Sequence, residues 1–221
     1  MFKEFKEFAM KGNISNILYT STREIYGELK EKETINEGDM GVLDPLDMRS
    51  CYPESKRMGE QIFESFYRQY SIPFKIVRIA HVYGPGMAIC DGRVMSDFIG
   101  DVVNGRNIVL KSDGLADRAF CYLTDAVAAM IIVLLKGNNG EAYNISNEEE
   151  PVIIRELAGK LAKMLPNISL EYIENKDKSG YCAYKRTGLG TDKLRKLGWK
   201  PMISLDDGLV RTVSSFQMGG K

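Results

Sequence analysis

An apolar run, "ISNILYTS" (14–21), is followed after a polar stretch by a long segment of helical period from Tyr52 to Gln69. A second apolar run, "FKIVRIAHVYG" (74–84), then ends in Gly84-Pro85-Gly86. Two short apolar runs flanking a helical segment read as strand, helix, strand. Such a unit closes as a right-handed crossover between parallel strands. This constrains the chain more than any other feature, because a parallel sheet must be covered by helices and takes its ligands at the carboxyl ends of its strands.

The flanking segments fit an α/β chain. The opening dozen residues read as an amphipathic helix stopped by Gly12, and 28–50 as polar loop. Beyond Gly86 the pattern predicts helices over 92–105, 126–137, 153–165, 191–201 and 204–216, with strands near 107–114, 118–125, 141–147 and 169–174. The expected organisation is a parallel-sheet domain over 1–86, with 108–136 packing back on it, and a smaller mixed α/β lobe over 87–221.

With 221 residues, 30 basic and 30 acidic side chains, the chain has no net field to attract nucleic acid or an anionic membrane. Any anion site must be built locally. The longest apolar run, "AVAAMIIVLL" (126–135), is about half of the ~20 residues a membrane span needs. Four separated cysteines and a single histidine form no zinc-binding set, and free thiols in a reducing cytosol are the expectation. No metal site and a cytoplasmic location are therefore predicted.

Tyr52 and Lys56 stand four residues apart at the start of the long helix and share one face. A free tyrosine has a pKa near ~10, and an adjacent ammonium favours its phenolate, so the pair reads as a proton-transfer unit. Thr22 falls at the carboxyl end of the first strand, where its hydroxyl is placed to bond a substrate oxygen from the same side.

Seven blocks occur in order from about Asn16 to Val213: "STREIYG", "CYPESKR", "RIAHVYGPGM", "DGRVMSDFI", "SDGLADRAFCYLTDAV", "EAYNISN" and "KLRKLGWKPMISLDDGL". Together they resemble the extended short-chain dehydrogenase/reductase family of NAD-dependent nucleotide-sugar epimerases, dehydratases and decarboxylases. "RSCYPESKR" and "DGRVMSDFI" look most similar to UDP-glucuronate decarboxylases. The resemblance implies a Rossmann-like parallel sheet with a nucleotide-sugar-binding lobe, and NAD as cofactor.

By that resemblance Tyr52 would take the proton from the sugar 4-hydroxyl while hydride passes from C4 to NAD. Lys56 would hold the nicotinamide ribose, and Thr22 would bond the 4-oxygen. Glu24 would serve proton transfer around C5. Arg23 stands where dehydratases carry aspartate, and a guanidinium cannot protonate a leaving hydroxyl, which argues against 4,6-dehydration and leaves epimerisation and decarboxylation open. Arg118 and Arg186 match positions that face the nucleotide diphosphate, a task suited to the planar guanidinium fork. Arg93, with Val94 and Ser96, falls where relatives bind base and sugar. His81 stands where relatives usually carry asparagine beside substrate and nicotinamide. Gly190 replaces a common aspartate and is assigned no function.

A complete family member begins with a strand, a GxxGxxG turn and a helix that grips the pyrophosphate. No GxxGxxG run occurs in these 221 residues. The expectation is a Rossmann sheet without its first strands, from an N-terminally truncated member, with weak autonomous NAD binding and an exposed sheet edge. A homodimer or a complementing N-terminal polypeptide is the expected partner besides the nucleotide sugar. The alternative is a non-catalytic nucleotide-sugar-binding or interaction module.

Overall fold

The computed structural model describes Glu4, Glu7 and residues 9–29, 32–173 and 188–218. In chain order the elements are β1 (Ile17–Thr22), β2 (Thr34–Ile35), α1 (Cys51–Tyr70), β3 (Phe74–Ile79), β4 (Val82–Tyr83), α2 (Val94–Val103), β5 (Ile108–Leu110), β6 (Asp117–Ala119), β7 (Cys121–Tyr122) and α3 (Leu123–Lys136). They continue with β8 (Glu141–Ile145), β9 (Pro151–Ile153), α4 (Ile154–Ala162), β10 (Leu170–Tyr172), β11 (Gly188–Leu189), α5 (Asp192–Arg195) and α6 (Leu205–Met218). These group into two compact units. One comprises Met1–Ala80, Ala126–Ser146 and Thr187–Lys200; the other His81–Asp125, Asn147–Arg186 and Pro201–Lys221.

The first unit is built on a three-stranded sheet of order β1-β3-β8, parallel throughout. Ile17 pairs with Phe74 and Thr22 with Ile79, so β1, α1 and β3 form the expected strand, helix, strand unit. The central strand is buried, with Phe74, Ile76 and Val77 at 5% exposure or less. α1 lies on it through aromatic contacts: Phe63 stacks on Phe74 at 5.9 Å and Tyr67 meets Phe74 edge-on at 5.8 Å. Offset and edge-on pairs of this kind add about 0.5–1.5 kcal/mol each beyond the area they bury. α1 ends where Ser71 turns left-handed (φ 55°) and its N–H bonds Tyr67 O. A second, two-stranded parallel pair joins β11 to β2 over a small core of Ile25, Tyr26, Ile35, Ala80 and Leu189.

β1 is the edge of its sheet, and only Ser21 and Thr22 are buried in it. Two of the expected strands are divided. The second apolar run is not one strand, because His81 adopts a left-handed backbone (φ 46°) that ends β3. The run resumes as β4, which pairs with β7 in the second unit. Likewise 118–125 divides at Phe120 into β6 and β7, which pair with β9 and β4 respectively, and Leu123 already opens α3.

The second unit is mixed α/β, with β10 parallel to β5 and β6 antiparallel to β9. Its core is one cluster in which Phe98, Ile99 and Val102 of α2 meet Leu157 and Leu161 of α4 and Leu209 and Val213 of α6. Helical spacing puts each set on one face, which is why three separate amphipathic segments close a single core.

Candidate functional site

β1 ends at Thr22, 7% exposed, and the chain turns at once into a short 3-10 turn, Arg23–Tyr26. Thr22 Oγ1 caps this turn by accepting the Glu24 N–H at 3.3 Å. The hydroxyl proton of Thr22 is not consumed by that bond, and Glu24 itself stands exposed. Gly27 closes the turn at φ 63°, where a Cβ would come within 2.4 Å of Val42 O, so no other residue fits without moving backbone.

Tyr52 sits in the first turn of α1, 48% exposed, with Lys56 one turn further on. Lys56 Nζ donates to Thr20 O at 2.9 Å and lies 5.9 Å from the centre of the Tyr52 ring. The next residue, Arg57, donates through Nε to Ile25 O at 2.7 Å and through a terminal nitrogen to Gly41 O at 2.9 Å. Two successive side chains of α1 thus tie the helix start to the end of β1 and to the turn behind it. Thr22 and Glu24, about thirty residues before Tyr52 and Lys56, belong with them to one hydrogen-bonded part of the first unit.

Behind the turn lies a buried polar network that the sequence reading missed. Arg78 of β3 makes a two-pronged pair with Glu60 of α1, at 3.0 and 2.6 Å, and donates to the Tyr26 hydroxyl (3.0 Å) and to Glu37 O (2.7 Å). Tyr26 donates in turn to Asn144 Oδ1 of β8 at 2.6 Å, and Asn144 bonds Ile35 O and Gly190 O. Burial pushes the Tyr26 phenol up to about 12 despite the opposing pull of Arg78. The available signal was Arg78 itself, a charge inside an apolar strand, which folding tolerates only when paired. At Gly190 a Cβ would lie 2.1 Å from Asn36 Oδ1, so a larger residue there would require the Asn36 side chain to move.

The remaining sequence-predicted residues lie in the second unit. His81 is exposed, its carbonyl accepts the Cys121 N–H at 3.2 Å, and its ring centre is 5.8 Å from that of Phe120. Arg118, on β6 two residues before Phe120, is partly exposed and donates to Asp117 O at 2.7 Å. Arg93 immediately precedes α2 and pairs with Asp91, its Nε donating to Oδ2 at 2.9 Å. That guanidinium holds the Asp91 carboxyl well below the usual range, and the same bond raises Arg93. Ser96 is fully buried and spends its hydroxyl on the 88–91 loop, donating to Ala88 O and accepting the Asp91 N–H. Arg186 lies outside the described residues.

Among the described residues no cluster of His, Cys, Asp and Glu is arranged to hold a metal, and no helix is long and apolar enough to cross a membrane. Cys51 and Cys90 are exposed free thiols and Cys121 a buried one.

UDP-glucuronic acid decarboxylase 3 of Arabidopsis thaliana is 34% identical over 206 residues, covering 92% of this chain and 58% of that protein. The chain spans about half the length of the curated relatives it matches, from 44% to 58%. Among solved structures, a dTDP-glucose 4,6-dehydratase from Streptomyces venezuelae with NAD bound superposes with a TM-score of 0.78 at 26% identity, over 96% of this chain and 63% of that one. The UDP-glucose 4-epimerase of Thermotoga maritima, solved with UDP-glucose, shares the fold at a TM-score of 0.81 and 24% identity, over 98% and 68% of the two chains. These neighbours bear out the Rossmann-like parallel sheet. A family model described as NAD dependent epimerase/dehydratase matches residues 4–146, well over half of the sequence, and agrees with the ordered motifs and with the strand-end threonine beside a Tyr-Lys helix: the chain belongs to that family.

Proposed function

We propose that this chain carries the sugar-facing half of an NAD-dependent nucleotide-sugar enzyme that works through a 4-keto sugar, by epimerisation or by decarboxylation. The observation that carries this reading is the tie between the strand end bearing Thr22 and the helix start bearing Tyr52 and Lys56, made by the Lys56 bond to Thr20 O at 2.9 Å.

Each residue has capacity left for its role. Thr22 accepts from Glu24 N and keeps its own O–H to donate to the sugar 4-oxygen. Tyr52, half exposed at the start of its helix, takes the 4-hydroxyl proton. NAD, when bound, would supply the hydride acceptor for C4. An ammonium has three donors; Lys56 spends one on Thr20 O and offers the others to the nicotinamide ribose. Glu24 would serve proton transfer near C5. Arg118 and Arg186 take the diphosphate, Arg93 the nucleotide, and His81 contacts substrate or cofactor.

Tyr52 and Lys56 fit the nicotinamide end of NAD. The pyrophosphate end has no counterpart here, since no GxxGxxG run occurs in these residues. The complete activity requires such a segment from further polypeptide, in the same chain or in a complementing one, and a homodimer is the expected assembly. The test joins this sequence to a strand-GxxGxxG-helix segment and supplies NAD with UDP-glucuronate. Release of carbon dioxide supports decarboxylation; inversion at C4 of UDP-sugars without it supports epimerisation; absence of both overturns the proposal.

The missing glycine-rich run also favours a second reading, a nucleotide-sugar-binding module without catalysis. Titrating the 221-residue chain with UDP-sugars and with NAD separates the two, because UDP-sugar binding alone excludes independent turnover.

A further inference from the structure

The ammonium of Lys56 faces two tyrosine rings. One is Tyr52, at 5.9 Å, one helical turn before it; the other is Tyr19 of β1, and it is the nearer, at 5.2 Å from the ring centre. Tyr19 is held firmly. Lys56, Gly59 and Phe63 recur at helical spacing on the face of α1 turned to the strand. The Tyr19 ring packs on Phe63 at 5.0 Å, and its hydroxyl fills the space over Gly59, where a Cβ would come within 2.1 Å. Thr20, the next residue of the strand, supplies the carbonyl that accepts the same ammonium. The lysine head is thus seated by a carbonyl and an aromatic face from adjacent positions of one edge strand.

Resting on the Tyr-Lys assignment made above, we infer that Tyr19 is a positioning residue: its ring seats the Lys56 ammonium beside Tyr52, in the place the Tyr-Lys pair needs it. A cation over an aromatic face gains about 0.5–1 kcal/mol at exposed sites and more when desolvated, enough to favour one lysine conformer. Two phenols near one lysine would compete for it unless their surroundings differ. Burial, then the Glu60 carboxylate, then Tyr52 itself push the Tyr19 phenol upward, so Tyr19 stays neutral and acts through its ring alone. The groups bearing on Tyr19 are Lys56, Tyr52 and Glu60, all from α1, and Glu60 is itself engaged by Arg78 of β3. Sequence reading passes over Tyr19 because an aromatic residue in an apolar strand looks like ordinary core.

The experiment uses the 221-residue chain with carbon-13 at the tyrosine Cζ positions and follows the pH at which Tyr52 ionises, its signal identified by loss in Tyr52→Phe. The variants are Tyr19→Phe, Tyr19→Leu, a series of fluorinated phenylalanines at position 19, and Lys56→Met. The fluorinated series keeps the ring's shape while weakening its negative face, so it remains informative if Tyr19→Leu fails to fold. Tyr19→Phe is expected to match the native chain, whereas Tyr19→Leu and increasing fluorination are expected to move the Tyr52 signal in the same direction as Lys56→Met. A flat response to the position-19 variants, with Lys56→Met still effective, overturns the role of Tyr19 alone. A flat response to Lys56→Met overturns the Tyr-Lys pair itself, and none of these readouts depends on turnover.

Discussion

Tyr52 is one hydroxyl on an exposed first turn, and its removal leaves the core untouched. In the protein completed with a glycine-rich segment, Tyr52→Phe is expected to lower the rate of hydride transfer by about 10²–10⁴-fold, the usual worth of a positioned acid-base group, with little change in melting temperature. Stopped-flow NADH absorbance reads the rate and circular dichroism the stability. Tyr26 makes the contrasting case of a tyrosine that must not ionise. Its folded pKa is raised from about 10 to about 12, so the folded state holds a proton there that the unfolded chain has released. Stability is undiminished below pH 10 and falls as pH rises through this window. Denaturant titrations at several alkaline pH values should show that fall, and Tyr26→Phe should reduce its slope in part, since burial also raises Tyr83 and Tyr143.

Among the elements, identical substitutions have opposite outcomes according to what surrounds them. Gly208 opens onto the Tyr83 hydroxyl at 2.2 Å and the Tyr122 ring at 2.9 Å from a would-be Cβ, so Gly208→Ala should cost about 1–3 kcal/mol by overpacking. Gly159, inside α4, has nothing within 4 Å, and Gly159→Ala should gain about 0.5–1 kcal/mol from helix propensity. Thermal melts of the two single variants moving in the same direction would contradict the packing described for α4 and α6. The link between α1 and β3 through Glu60 and Arg78 is a buried pair, with side chains 12% and 10% exposed. Glu60→Ala strands the guanidinium and should destabilise the first unit by about 3–5 kcal/mol, measured by urea unfolding, whereas an exposed pair such as Arg211–Asp207 should be worth under about 1 kcal/mol.

For the whole molecule, the chain is neutral overall, with 30 basic and 30 acidic residues, so the proposed phosphate recognition has to rest on individually placed arginines. A ligand that binds only the folded chain stabilises it in proportion to the logarithm of its saturation. UDP is accordingly expected to raise the melting temperature of the 221-residue chain and NAD to leave it nearly unchanged, as read by scanning fluorimetry. Equal shifts by both would mean that these residues grip the dinucleotide without a glycine-rich loop.

Most of what decides the fold was legible in order and period. The spacing of apolar residues specified β1, α1 and β3 as a parallel unit, and α2, α4 and α6 as amphipathic helices, because burial on one face imposes a period that survives in the sequence. Tyr52 and Lys56 could be read as a pair from their four-residue spacing on one helix face, and Thr22 from its place at the end of the first apolar run. What tertiary structure alone decided involves partners distant in the chain. β1 became an edge, His81 broke a strand that looks continuous, Arg78 found Glu60, Tyr26 and Glu37, and Lys56 settled on a carbonyl and a ring of β1. A sequence records which side chains need a partner; only the folded backbone determines which partner is within reach.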